Sequence, residues 1–76
     1  MPLVVNVQGE GTGCYVGVNG AKVTSERLVQ IARAERNRRA IVVFAKDAPY
    51  KCVGSAVVVL QQGGIAKIDV APWFGR

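Results

Sequence analysis

Seventy-six residues, half of them apolar and 20% charged, with a net charge of +5, describe a single small folded domain rather than a disordered tail. A chain of this length hides only roughly 60–65% of its unfolded surface, so a dimer, a disulfide or attachment to a longer protein would help to stabilise it. The longest unbroken apolar run, residues 40–45, is far short of the roughly 20 residues that cross a membrane, and no charged-then-apolar leader opens the chain. The segment therefore reads as soluble and without a signal peptide.

Residues 3–7, Leu-Val-Val-Asn-Val, are short and β-branched, the pattern of a strand. Gly9, Gly11 and Gly13 follow at alternate positions. A nucleotide fingerprint opens a helix and a P-loop closes on Lys-Ser/Thr. Here the glycines lead into Cys14-Tyr15-Val16-Gly17-Val18, a second strand, so they read as a turn. Asn19-Gly20 supplies the positive φ angles of a two-residue type I′ hairpin joining residues 14–18 to residues 21–23.

Thr24 or Ser25 is a suitable N-cap. Leu28, Ile31 and Ala32 then recur at i, i+3, i+4 on one face of a helix, while Glu26, Gln30 and Arg33 point the other way. Arg36, Arg38 and Arg39 are expected at or just past its C-terminal end, where cations complement the helix dipole.

Residues 40–45 form a buried-type strand, followed by a turn holding Asp47, Pro49 and Tyr50. Val57-Val58-Val59-Leu60 alone would suit a strand. Yet Val53, Ala56, Val57 and Leu60 fall at i, i+3, i+4, i+7, with start chemistry at Asp47 and Pro49 and a stop at Gly63-Gly64. The spacing predicts a helix over residues 51–62, with Tyr50 and Leu60 on its core side and Ser55 and Gln62 outward. Asp47 is expected in the turn or as a helix N-cap. Val58 falls toward solvent and hints at a partner surface. A last short strand, residues 65–70, completes a βαβ unit, which runs parallel and closes right-handed. The expected order is β-β-β-α-β-α-β.

Cys14 and Cys52 are too few for a disulfide scaffold and match no metal-site spacing. They are expected as partly buried free thiols; bridged, they would close a loop worth about 4 kcal/mol on the chain-entropy model. Other chemistry is scarce. Without histidine there is no Ser-His-Asp or Cys-His constellation. Glu10, Glu26, Glu35, Asp47 and Asp69 are scattered over different elements. A Cys52 thiolate beside Lys51 near a helix N-terminus is conceivable, but a structural cysteine is the better reading. No catalytic residue, cofactor or metal is expected, and the chain reads as a binding or assembly module.

Two stretches together resemble the periplasmic domain of the ExbD/TolR family, accessory subunits of proton-driven motors in the bacterial envelope. One is Val18-Asn19-Gly20-Ala21-Lys22-Val23 followed by Leu28. The other is Asp47, Pro49 and Tyr50, then Leu60-Gln61-Gln62-Gly63-Gly64-Ile65-Ala66-Lys67-Ile68. The likeness spans nearly the whole chain, with its specificity in the second half. Where the family usually has Ala before the glycine, Gly63 is expected to be a tolerable change at a helix end. The family's transmembrane helix, with its proton-handling aspartate, is absent from these residues. The resemblance implies a small α+β domain with two helices on one face of a mixed sheet, located in the periplasm if it belongs to an inner-membrane protein. It implies homodimers, contacts with TonB/TolA-like and ExbB/TolQ-like envelope proteins, and in the TolR branch association with peptidoglycan. By the same resemblance, the final strand (Ala66, Lys67, Ile68, Asp69 and Val70) is the expected dimer surface. An exposed edge strand is also a physical template for strand addition.

The alternative is a small basic nucleic-acid-binding protein, with Arg27, Arg33, Arg36, Arg38 and Arg39 neutralising phosphates. No aromatic pair, GXXG clamp or recognition-helix pattern accompanies that cluster. Tyr15, Phe44, Tyr50, Trp73 and Phe74 are dispersed along the chain.

Overall fold

The computed structural model describes residues 2–35 and 38–72. Five strands and two helices follow one another as β1 (Leu3–Glu10), β2 (Gly13–Val18), β3 (Ala21–Val23), α1 (Ser25–Ala34), β4 (Arg39–Phe44), α2 (Tyr50–Gln62) and β5 (Lys67–Pro72). The sheet order is β3-β2-β1-β4-β5. β1, β2 and β3 pair antiparallel, whereas β1, β4 and β5 run parallel. The result is the expected small α+β fold with a mixed sheet.

Two hairpins set the antiparallel half. Asn19 and Gly20 have φ of 54° and 81°, and Val18 pairs with Ala21 across them, as a type I′ turn requires. The glycine-rich segment is less of a turn than its composition suggests. β1 continues through Gly9 and Glu10, and Glu10 pairs with Gly13, leaving Gly11-Thr12 as the connection. Gly11 takes φ of 60°, which a side chain would resist.

Strand alternation puts Leu3, Val5 and Val7 of β1, Val18 of β2, and Ala40 and Val42 of β4 on one face. There they form one core with Leu28 and Ala32 of α1 and with Cys52, Val53, Ala56 and Leu60 of α2. Both helices therefore cover the same side of the sheet. Thr24 caps α1, its hydroxyl accepting from the Arg27 N–H at 3.1 Å. The helix stops at Ala34, earlier than the arginine run suggested. Arg33 lies in its last turn, but Arg38 sits in a left-handed turn with φ of 54° and Arg39 already opens β4. Among the described arginines, Arg33 is the one in the last turn of α1, where it complements the helix dipole, and Arg36 lies outside the described residues.

The end of α2 is closed by a Schellman motif. The Ile65 N–H donates to the Leu60 carbonyl at 3.1 Å and the Gly64 N–H to the Gln61 carbonyl at 2.9 Å. Gly64 takes the left-handed φ of 93°, and Leu60 and Ile65 are both buried. Glycine is accommodated at position 63, as expected, and alanine is not. A Cβ there would collide with Ala32 Cβ and come within 3.0 Å of the Val29 carbonyl oxygen. The two helices meet at that point with no room for a methyl group.

The start of α2 corrects two expectations and decides a third. Cys14 and Cys52 are bridged, with Cα atoms 5.6 Å apart, inside the usual disulfide range. With Cys52 fully buried, the core face of α2 is rotated toward Cys52, Ala56 and Leu60. Tyr50, in the first turn, falls off that face and is 90% exposed. The N-cap is Pro49, with no side-chain capping bond, so Asp47 serves in the turn alone. Leu60, Ser55, Gln62 and Val58 fall where the periodicity put them.

Candidate interaction surface

Among the described residues, both sheet edges carry backbone groups that no neighbouring strand pairs, but they are not equivalent. β3 spans 3 residues and has a lysine at its centre, a common way of blunting an edge. β5 spans 6 residues and pairs with β4 along its whole length, from Arg39 opposite Lys67 to Phe44 opposite Pro72. Its outer side is the longer template for another strand.

β5 is placed by its surroundings rather than by burial. The Arg38 carbonyl accepts from the N–H groups of Ala66 and Lys67 at 2.9 and 3.0 Å. The Arg38 guanidinium reaches back to the Gly64 carbonyl at 3.3 Å. Ala66 is thus part of the connection, and the strand runs over Lys67–Pro72 rather than the expected residues 65–70. Ile68 packs against the core, while Val70, on the same side of the strand, is 47% exposed. Lys67 and Asp69 occupy the alternate positions and are exposed.

The face without helices carries Val4, Ile41 and Val43 at its middle. Asn6, Gln8 and Tyr15 lie toward one end, and Lys22 lies with its Nζ 5.1 Å from the Tyr15 ring centre. Val4 is 40% exposed, whereas Ile41 and Val43 are half-buried. On the helix side, Val58 is 51% exposed and lies on the surface of α2 away from the sheet. Val58 and the β5 edge are therefore separate surfaces.

The residues shared with the ExbD/TolR pattern have local structural tasks. Leu60, Gly64 and Ile65 build the Schellman motif, Asp47 occupies the turn, and Pro49 presses on Gly9, where a Cβ would stand 2.8 Å from Pro49 Cδ. Tyr50 is 90% exposed. The described arginines are spread over α1, the loop before β4 and β4 itself. Arg27 bonds Gln30 on the surface of α1 at 3.2 Å, Arg38 braces Gly64, Arg39 belongs to β4, and Arg36, like Trp73 and Phe74, lies outside the described residues.

Among the described residues no three His, Cys, Asp or Glu side chains stand together as metal ligands, and no helix is long and apolar enough to cross a membrane. Sequence reasoning missed the disulfide, whose only signal was the parity of two cysteines. It also missed the role of Arg38, which has no local sequence signature. No family model matches the chain, and no curated protein matches it.

Proposed function

We propose that this chain is a non-enzymatic interaction domain that dimerises by strand addition at β5, as the periplasmic part of an ExbD/TolR-like envelope subunit would. The observation that carries this reading is the free outer edge of β5, 6 residues long, in a sheet whose other edge is short. The edge is also self-complementary. In an antiparallel two-fold pairing centred on Ile68, Lys67 of each copy faces Asp69 of the other, and such opposed charges favour one register. Within one copy Lys67 lies beside Arg39, so a partner's Asp69 would relieve that like-charge neighbour.

The Cys14–Cys52 bridge supports the compartment. Disulfides persist where the surroundings are oxidising, the bacterial periplasm among them. TonB/TolA-like or ExbB/TolQ-like partners follow from the sequence resemblance, and Tyr50 is an exposed anchor available to them. Sedimentation over a hundredfold range of concentration tests the reading. A dimer that forms with rising concentration and barely responds to salt is expected. A folded monomer throughout would remove it, and binding of single-stranded nucleic acid that weakens steeply with salt would favour the basic-patch alternative.

A further inference from the structure

The two halves of the Cys14–Cys52 bridge differ in access. Cys14 is exposed near the start of β2, whereas Cys52 is completely buried in the first turn of α2. Beside the bridge lies a cavity of about 280 Å³, lined by both cysteines and by Val16, Leu28, Ser55 and Val59 among others. An attacking thiol must reach one sulfur of a disulfide and expel the other as a thiolate, so access and leaving-group stability choose the direction. Here access chooses the direction: Cys14 is the exposed half of the bridge, and Cys52 is buried.

We propose that this bridge is a thiol-exchange site, at which a small peptide thiol of glutathione size attacks Cys14. As the new bond to Cys14 Sγ forms, the Cys14–Cys52 bond breaks. Cys52 leaves with the electron pair and then takes a proton. A second thiolate attacks the sulfur that the first thiol attached to Cys14, releasing a disulfide of the two small thiols, and the Cys14 thiolate then takes a proton. The protein has then gained two electrons and two protons, and the two thiols have been oxidised to one disulfide.

Reduction removes the covalent tie between β2 and α2. The apolar packing of α2 on the sheet and the closeness of Pro49 to Gly9 remain, as does the Ala45 N–H bond to the Val7 carbonyl at 3.0 Å that joins the end of β4 to β1. The first turn of α2, with exposed Tyr50, is thereby loosened, while the Schellman end stays closed. The exchange site is independent of any pairing at β5.

The test uses the oxidised full chain and reduced glutathione under native conditions, with acid quench, alkylation and peptide mapping. The adduct is expected on Cys14 with Cys52 alkylated, in roughly tenfold or greater excess over the reverse, as the difference in access requires. The rate should be first order in glutathione and indifferent to mild denaturant. Adducts shared equally or favouring Cys52 would overturn the proposal, as would a rate set by global unfolding. Ser55→Phe, at an exposed position on the cavity wall, should slow glutathione several-fold and leave mercaptoethanol unaffected. If both thiols react with it as with the wild type, the cavity is not the docking place.

Discussion

Leu60 and Gly63 show how much of this molecule rests on single side chains. Leu60 is fully buried and its carbonyl accepts the bond that closes α2. Leu60→Ala is expected to cost about 2–5 kcal/mol, as core leucine truncations do, read from denaturant unfolding; an unchanged midpoint would contradict the core assignment. Gly63→Ala looks mild by helix propensity, yet the methyl would have to enter the space held by Ala32 Cβ. Overpacking of this kind costs about 1–3 kcal/mol. The same measurement checks it, and a neutral or stabilised variant would show that the two helices can separate there. Asp47→Ala should be close to silent, because the α2 N-cap is Pro49.

At the level of elements, most of the fold was legible. Period-2 runs marked the strands, Asn19-Gly20 marked the second hairpin, and the i, i+3, i+4, i+7 set from Val53 to Leu60 outweighed the β propensity of three consecutive valines. Tertiary contacts decided what was misread. Gly9 and Glu10 extend β1 because β2 pairs with them, although glycine composition alone signals a turn. Tyr50 left the core because Cys52 entered it, a consequence of the disulfide that no helical wheel contains. Sites were less legible than elements, since the pattern Leu60 to Ile65 encodes helix capping, and a capping pattern constrains fold more than partner. For β5 the expectation is specific. Val70→Lys should change stability by no more than about 0.5 kcal/mol, since the residue is half-exposed. It should weaken dimerisation clearly, because a charge on an edge opposes strand pairing. Sedimentation of that variant beside the wild type checks both arms, and equal association would move the interface elsewhere.

For the whole molecule, the disulfide answers the difficulty of a small core made largely of valine and alanine, and the proposed dimer would answer it too. Replacing both cysteines, Cys14→Ser with Cys52→Ala, is expected to cost about 2–5 kcal/mol, as loss of a bridge does in small domains, measured by thermal unfolding at a concentration where the wild type is monomeric. The outer edge of β5 is proposed to pair with a second copy. Amide hydrogen exchange, recorded at low and high protein concentration, addresses that edge directly. Protection across Lys67–Pro72 should rise with concentration while Ala21–Val23, at the opposite edge, stays unchanged. Exchange in β5 that ignores concentration, or protection that appears at β3 instead, would contradict the account.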